Sequence, residues 1–242
     1  MSAYPPERRF PTTQWSIVAR LKSSDAQEAE NAVKEVFTTY RYPLYGYLRT
    51  SGLHHEDAED VLQGFFEKML RHDALGQADQ TRGKLRTFLL TALCRYKLNF
   101  QRGEQRRHRR VQAEADLWEE DEARFQGEHH ATSETPETYF DRRWAMELIE
   151  RVRQHLREHY DKRGKAALHD ALAPMLSSAE PETESFSATA ERLGVTENAL
   201  RVSLSRLRGD FREFLIREVK RTLDEGEDAK EEIRHLLGLF ER

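Results

Sequence analysis

Cysteine is almost absent from this sequence: one residue of 242 excludes an intramolecular disulfide and a zinc site built from several cysteines. The lone thiol, Cys94, lies in an apolar run and is expected to be buried and unreactive. Long apolar runs are missing too, so the sequence offers neither a membrane-spanning helix nor a hydrophobic secretory segment at its start. These absences predict a cytoplasmic protein with no membrane partner.

Glycine and proline are also few, at 12 and 7 residues, and strand-like alternation of apolar and polar residues is scarce. Charged residues make up 34% of the chain, which suits short amphipathic helices. A chain of 242 residues exceeds the usual single domain and suits two small ones with a connector. The sequence therefore predicts an all-α protein with two small helical domains, residues 1–110 and 138–242, joined by a linker over residues 111–137.

The strong catalytic signatures GxxxxGK(S/T), HExxH and GxSxG are absent. The carboxylates that come closest to a divalent-metal set are Glu56, Asp57, Glu59 and Asp60. Magnesium sites usually draw ligands from several elements and a substrate phosphate, whereas acids in the first turn of a helix suit its dipole. We therefore expect no catalytic residue, no cofactor and no metal. The alternative left open by this cluster is a metal-dependent nuclease or phosphotransfer enzyme.

The segment Ser187–Phe211 has the pattern of a helix-turn-helix. The small Ala190, the turn residue Gly194 and the core residue Leu200 fall where this motif requires them, and Thr196 is placed to cap the second helix. The apolar stripe of that helix contains Leu200, Leu204 and Leu207. The residues off the stripe, expected to reach base edges in a major groove, are Asn198, Arg201, Val202 and Ser205. The alternative is an ordinary helical hairpin with an arginine-rich, solvated face.

A second basic segment lies in the first predicted domain. The helix that begins near Leu85 is apolar at first and becomes basic and aromatic between Arg95 and Arg110. Arginine and lysine neutralise phosphates, while tyrosine and phenylalanine offer stacking faces to exposed bases, so this composition predicts contact with nucleic acid. The alternative is a solvated basic helix end whose aromatic side chains, Phe100 among them, lie in the core.

The charge reverses after Arg110, and the acidic residues that follow are opposed only by Arg124. Serine, threonine, glycine and proline then cluster over residues 127–136. This composition predicts an acidic, flexible linker. Its simplest role is solubility and spacing, and the alternative is an acidic strand that occupies a basic nucleic-acid channel in a partner.

These segments together resemble a sigma-70-type RNA polymerase sigma factor of the small extracytoplasmic-function group. Residues 57–66, DAEDVLQGFF, resemble the acidic signature of the family's first domain. Residues 85–89, LRTFL, resemble the segment before the helix that reads the −10 promoter element, and residues 187–214 resemble the domain that reads the −35 element. The departures are Phe88 for the usual tryptophan, and Tyr96 and Asn99 for the usual asparagine and aspartate. The family's base preference is therefore not carried over to that helix.

The resemblance implies three sets of site residues. Docking on core RNA polymerase is implied for Asp57, Glu59, Asp60, Gln63 and Phe66. Contact with unstacked −10 DNA is implied for a loop, Gln80, Thr81, Arg82 and Lys84, and for a helix, Tyr96, Lys97, Asn99, Arg102, Arg106 and Arg107. Contact with duplex −35 DNA is implied for Thr196, Asn198, Arg201, Val202, Ser205, Arg206 and Arg208. Within the last set, Arg201 is expected to read bases and Arg208 to contact phosphate.

The function implied by this resemblance is that of a sigma factor and not of an enzyme. Such a protein binds bacterial core RNA polymerase, recognises both promoter elements and supports DNA opening. Its acidic linker threads the RNA path of the polymerase, and an anti-sigma factor or another regulator is a further partner that the resemblance allows. The main alternative is a stand-alone helix-turn-helix transcription regulator whose first module senses a signal or dimerises.

Overall fold

The computed structural model describes Arg20 and residues 23–70, 84–101, 112–128, 134–176, 186–223 and 228–240. Every regular element in these ranges is helical and none is a strand, which confirms the predicted all-α class. None of the helices in these ranges is both long enough and apolar enough to cross a membrane. The helices are α1 Ala26–Thr50, α2 His55–Leu70, α3 Leu85–Gln101, α4 Gln112–Glu128, α5 Pro136–Asp161, α6 Ala166–Leu172, α7 Phe186–Leu193, α8 Glu197–Lys220 and α9 Ala229–Leu237. A 3-10 turn, Ala173–Leu176, follows α6 directly.

The described residues divide into two compact units. The first contains those up to Trp144 together with those from Lys220 onwards, and the second contains Ala145–Val219. These limits differ from the predicted domains, because α4 and α9 both belong to the first unit. The sequence had assigned α4 to the linker and α9 to the second domain.

Two antiparallel helices, α1 and α2, form the centre of the first unit. Phe37 near the beginning of α1 meets Phe66 near the end of α2, with ring centroids 4.9 Å apart. At the other end of the pair, the Tyr45 hydroxyl and Nδ1 of His55 are hydrogen-bonded at 2.8 Å. The fully buried side chains of these two helices include Tyr40, Leu44, Leu48, Leu62 and Phe65. Each buried side chain of this size contributes about 1.5–3 kcal/mol to folding, so the pair forms a substantial core.

The structure corrects the prediction of flexibility for much of the acidic linker, because Gln112–Glu128 form helix α4. Trp118 is 2% exposed and Phe125 is 4% exposed. The Trp118 ring centroid lies 6.2 Å from that of Phe37 and 6.3 Å from that of Tyr45, both in α1. Composition alone indicated a solvated segment, but two aromatic side chains on one side of the helix bury a face against the first unit.

The acidic side chains of α4 are paired with basic side chains of α1. Arg41 forms an ion pair with Asp121, and the Arg49 guanidinium lies 2.8 Å from a carboxylate oxygen of Glu122. Burial acts to raise the pKa of Glu122, but its hydrogen bonds and the charge of Arg49 hold that pKa below the ordinary glutamate value. The charge that the local sequence leaves unopposed is therefore opposed by residues 80 and 73 positions away.

Helix α3 lies beside this core and presents a buried stripe made of Leu85, Leu89 and Leu93. Cys94, which was expected to be buried, is partly exposed instead. Its thiol contacts the Tyr47 hydroxyl at 3.1 Å. The thiol lies one position beyond the buried Leu93, and this helical offset turns it towards the edge of the core.

The second unit has a core of its own, formed by the end of α5 with α6, α7 and α8. The buried members are Leu156, Tyr160, Leu172, Met175, Ala190, Leu200, Leu204 and Leu207. The Tyr160 hydroxyl donates to Asp210 at 2.8 Å, and burial together with this hydrogen bond raises the pKa of Tyr160 to about 12. The core therefore fixes α8 along one side and leaves its other side exposed.

Candidate nucleic-acid interface

A three-residue turn, Gly194–Thr196, joins α7 to α8. Gly194 has φ +65°, the positive value expected from the sequence. Its amide donates to the Glu191 carbonyl at 3.1 Å, and the Val195 amide donates to the Ala190 carbonyl at 3.0 Å. This pair of bonds is the glycine-terminated helix end in which two otherwise unsatisfied carbonyls are satisfied. The turn therefore ends α7 sharply and starts α8 immediately afterwards.

Thr196 caps the start of α8, as the sequence predicts. Its hydroxyl oxygen accepts from the Ala199 amide at 3.2 Å, and its carbonyl oxygen accepts from the Leu200 amide at 3.0 Å. This hydroxyl is therefore engaged in capping, which makes the predicted DNA contact of Thr196 secondary to a local structural role.

The first turns of α8 have two distinct sides. Leu200, Leu204 and Leu207 face the core of the second unit and are buried. The exposed side chains on the opposite side are Asn198, Arg201, Val202 and Ser205. Their spacing of three or four residues places them along one stripe of the helix. The structure thus brings together the four residues that the sequence predicted to face a groove.

Two of these side chains are notable for their exposure. The Arg201 side chain is 67% exposed, and its guanidinium carbon lies 5.5 Å from the centroid of the Phe186 ring. Glu197, one turn earlier, lies 3.8 Å from the same guanidinium. Val202 is 44% exposed although it is apolar. Both side chains are therefore available to a partner.

The remaining two basic residues of the predicted −35 set, Arg206 and Arg208, differ in their exposure to solvent. Arg206 is exposed. Arg208 is partly buried, and its guanidinium donates to the Met175 carbonyl oxygen at 3.0 Å. This bond satisfies a carbonyl of the 3-10 turn, so Arg208 has an internal structural role that the sequence pattern did not indicate.

In the first unit, the predicted −10 residues of α3 lie at the edge of the core. The Tyr96 ring centroid is 6.2 Å from that of Phe65, and the Lys68 ammonium lies 5.9 Å from the Tyr96 centroid. Burial, followed by the negative charge of a nearby glutamate, raises the pKa of Tyr96. The Lys97 ammonium lies 5.7 Å from the Tyr47 centroid. Tyr96 and Lys97 are both partly exposed, and each side chain also contacts another residue of the first unit.

A more exposed row runs along the other side of α3. Its members are Thr87, Thr91, Arg95, Leu98 and Asn99. Leu98 is 50% exposed, and with Arg95 it belongs to this row although neither was in the predicted site. Their spacing of three or four residues from Thr91 was the available signal.

Of the four loop residues predicted to contact the −10 element, Lys84 lies within the described ranges. Its ammonium forms an ion pair with Glu232 of α9. The other predicted −10 residues, which lie outside the described residues, are Gln80, Thr81, Arg82, Arg102, Arg106 and Arg107.

The five residues predicted to dock on polymerase do not form one exposed face. Asp57 is exposed and Asp60 is partly exposed, but Glu59, Gln63 and Phe66 are buried. These three residues are therefore not part of an exposed face in this structure. Helical spacing places them on the same side of α2 as its core residues. The acidic surface that remains at the start of α2 consists of Glu56, Asp57 and Asp60.

No family model, curated protein or solved structure matches this chain. Within the described ranges, no group of three or more histidine, cysteine, aspartate or glutamate side chains is arranged to hold a metal ion.

The exposed stripe of α8 combines the side-chain types that distinguish base pairs. Arginine can donate two hydrogen bonds to guanine, asparagine can pair with adenine, and an apolar side chain can contact the methyl group of thymine. Arg201, Asn198 and Val202 supply one of each within two turns. This stripe is accordingly the strongest candidate in the described chain for a surface that reads duplex DNA.

Proposed function

We propose that this protein is a sigma factor that binds core RNA polymerase, recognises −35 and −10 promoter elements and supports DNA opening. The observation that carries the DNA-binding part is the start of α8. A capped helix follows a tight turn, buries one stripe and exposes Asn198, Arg201, Val202 and Ser205 on the other. This arrangement supports the assignment of α8 as the recognition helix of a helix-turn-helix.

The assignment to a sigma factor, as opposed to a stand-alone regulator, draws on the first unit. Its sequence resembles the family's polymerase-binding domain, and its helix α3 carries an exposed row containing Arg95, Leu98 and Asn99. Basic, apolar and amide side chains on one row suit single-stranded DNA, which presents backbone phosphates and the faces and edges of unpaired bases. A regulator that reads duplex DNA alone has no need of such a second surface.

Copurification with core RNA polymerase tests the proposal most directly. The full-length protein is expected to form a stable complex with core enzyme and to direct transcription from specific promoters. A stand-alone regulator would instead dimerise and bind a palindromic duplex without polymerase. Absence of a polymerase complex, together with dimerisation, would replace the sigma-factor assignment by the regulator.

Charge reversal at Asp57 is expected to weaken core binding by about tenfold or more. Asp57 is an exposed acid in the first turn of α2, and a like charge at an interface costs several kcal/mol. Folding should change by less than about 1 kcal/mol, because the residue is at the surface. Titration of labelled Asp57→Arg protein with core enzyme measures the effect. Glu231→Arg, an exposed acid of α9, is the control with the same charge change. Equal affinities of the two variants would exclude Asp57 from the docking surface.

Arg201→Ala is expected to weaken binding of the polymerase complex to its best −35 sequence and to relax the preference at one base pair. Loss of a bidentate base contact costs roughly 1–3 kcal/mol, whereas loss of a phosphate contact weakens all sequences alike. Duplexes substituted at each position of the −35 element, bound by wild type and variant, separate the two effects. Arg212→Ala, an exposed arginine further along α8, is the matched control. A uniform loss across all duplexes would assign Arg201 to the DNA backbone.

A further inference from the structure

Helix α9, which belongs to the first unit, contributes one buried carboxylate to it. Glu232 is 4% exposed, and it forms ion pairs with Lys84 and Arg86. Burial acts to raise the pKa of Glu232, but the hydrogen bond from Lys84 and the charge of Arg86 hold that pKa below the ordinary glutamate value. The carboxylate therefore stays ionised at neutral pH and neutralises a cationic pair that lies at the start of α3.

The cationic pair is built into the unit. Nε of Arg86 lies 3.0 Å from an oxygen of Asp141, and its guanidinium carbon lies 4.6 Å from the centroid of the Trp144 ring. Arg86 is itself only 4% exposed. These contacts from the start of α5 hold the guanidinium independently of α9, while Lys84 stands at the edge of the pair with its side chain 26% exposed. Arg86 therefore keeps partners besides Glu232 if α9 moves away.

The position of this pair matters because of the proposed function. Lys84 is the described member of the loop implied to contact −10 DNA, and the pair leads directly into the exposed row of α3. An arginine and a lysine in this arrangement bind a carboxylate or a phosphate through the same charge-assisted hydrogen bonds. The carboxylate of Glu232 is the anion that the pair binds in this structure.

Helix α9 has few contacts to keep it in place. It is nine residues long, below the length at which an isolated helix is stable, and only Ala229, Glu232 and Leu236 are buried. Leu237, at its end, is 50% exposed. The Asp228 side chain caps its start by accepting from the Lys230 amide at 2.8 Å. Loss of either the cap or the buried carboxylate should release the helix.

We propose that α9 is an intramolecular inhibitor whose Glu232 occupies a phosphate-binding site formed by Lys84 and Arg86, and that single-stranded promoter DNA takes this site when α9 is displaced. The proposal rests on the proposed function, because it assigns a DNA strand as the competing anion. It adds a site and a regulatory contact that lie outside the recognition helix.

The test measures binding of the full-length protein to a fluorescent oligothymidylate, which carries phosphates without a promoter sequence. Glu232→Gln is expected to bind about fivefold or more tightly than wild type, the lower end of typical coupling between two sites. The salt dependence should steepen by about 0.7 in log–log slope for each phosphate newly contacted. Hydrogen exchange in Ala229–Leu237 should rise in parallel. The exposed neighbour Glu231→Gln has the same charge change and should behave as wild type.

Two further variants keep the result interpretable. Asp228→Ala weakens the cap of α9 without altering the cationic pair, so it should also increase DNA binding even if Glu232→Gln destabilises the unit. Adding Lys84→Gln to Glu232→Gln should remove the gain. Unchanged binding in Asp228→Ala and Glu232→Gln, with α9 released by hydrogen exchange, would overturn the inference and leave the proposed function intact if wild type still copurifies with core polymerase. Failure of wild type to copurify would overturn the proposed function itself.

Discussion

The protein without polymerase is expected to bind promoter duplex with a dissociation constant of about 10⁻⁴–10⁻⁶ M, and core RNA polymerase is expected to increase the affinity by about 10²–10⁴-fold. The second unit alone offers a short stripe at the start of α8, so few phosphates can be contacted. In the first unit Lys84 is neutralised by Glu232, and α4 exposes further acids, Glu119 and Glu120. The loss of one free positive charge and the presence of exposed negative charges both disfavour binding to DNA phosphates.

Under the proposed function, the gain comes from polymerase, which would tether both proposed DNA-binding surfaces to one particle. Once one element is bound, the second contact becomes intramolecular and benefits from a high effective concentration. The measurement is a titration of one promoter fragment with and without core enzyme, followed by permanganate footprinting of unpaired thymines. Tight, sequence-specific binding by the protein alone, without polymerase-dependent opening, would support the stand-alone regulator instead.

Trp118→Ala is expected to lower the free energy of unfolding of the first unit by about 3–5 kcal/mol, the usual cost of removing a buried tryptophan. Trp118 packs against Phe37 and Tyr45, and the Arg41 guanidinium carbon lies 5.5 Å from its ring centroid. Among the side chains of α4 that the structure describes, only Trp118, Asp121 and Phe125 are buried, so the variant should also release this helix.

Urea unfolding of the full-length protein gives the stability, and hydrogen exchange in Gln112–Glu128 reports whether α4 has detached. Leu117→Ala is the matched control, because Leu117 is the adjacent residue and is 36% exposed. It should cost less than about 1 kcal/mol. A similarly small loss for Trp118→Ala, with α4 still protected from exchange, would show that the ion pairs of Asp121 and Glu122 hold the helix without the tryptophan.

Local features of the chain were predictable because they depend on nearby residues. The positive φ of Gly194 and the cap at Thr196 follow from the conformational freedom of glycine and the hydroxyl of threonine. The division of α8 into a buried and an exposed stripe follows from the period of the helix. The all-α class likewise follows from composition and periodicity.

Contacts between distant segments were not predictable in the same way. The acidity of residues 111–137 indicated a solvated linker, whereas basic partners in α1 and the buried Trp118 hold α4 in place. Glu59 in α2 was implied to dock on a partner by the resemblance, but it lies on the side of the helix that packs into the core and is 1% exposed.

The sequence by itself determined the all-α class, the turn before α8 and the residue types on its exposed stripe, since each is set by composition or by interactions within a few residues. Only the tertiary structure decided which charges are neutralised. Lys84 and Glu232 are 148 positions apart, and no local pattern indicates that they meet. The energy of such a pair depends on distance and burial, which arise only when the helices pack together.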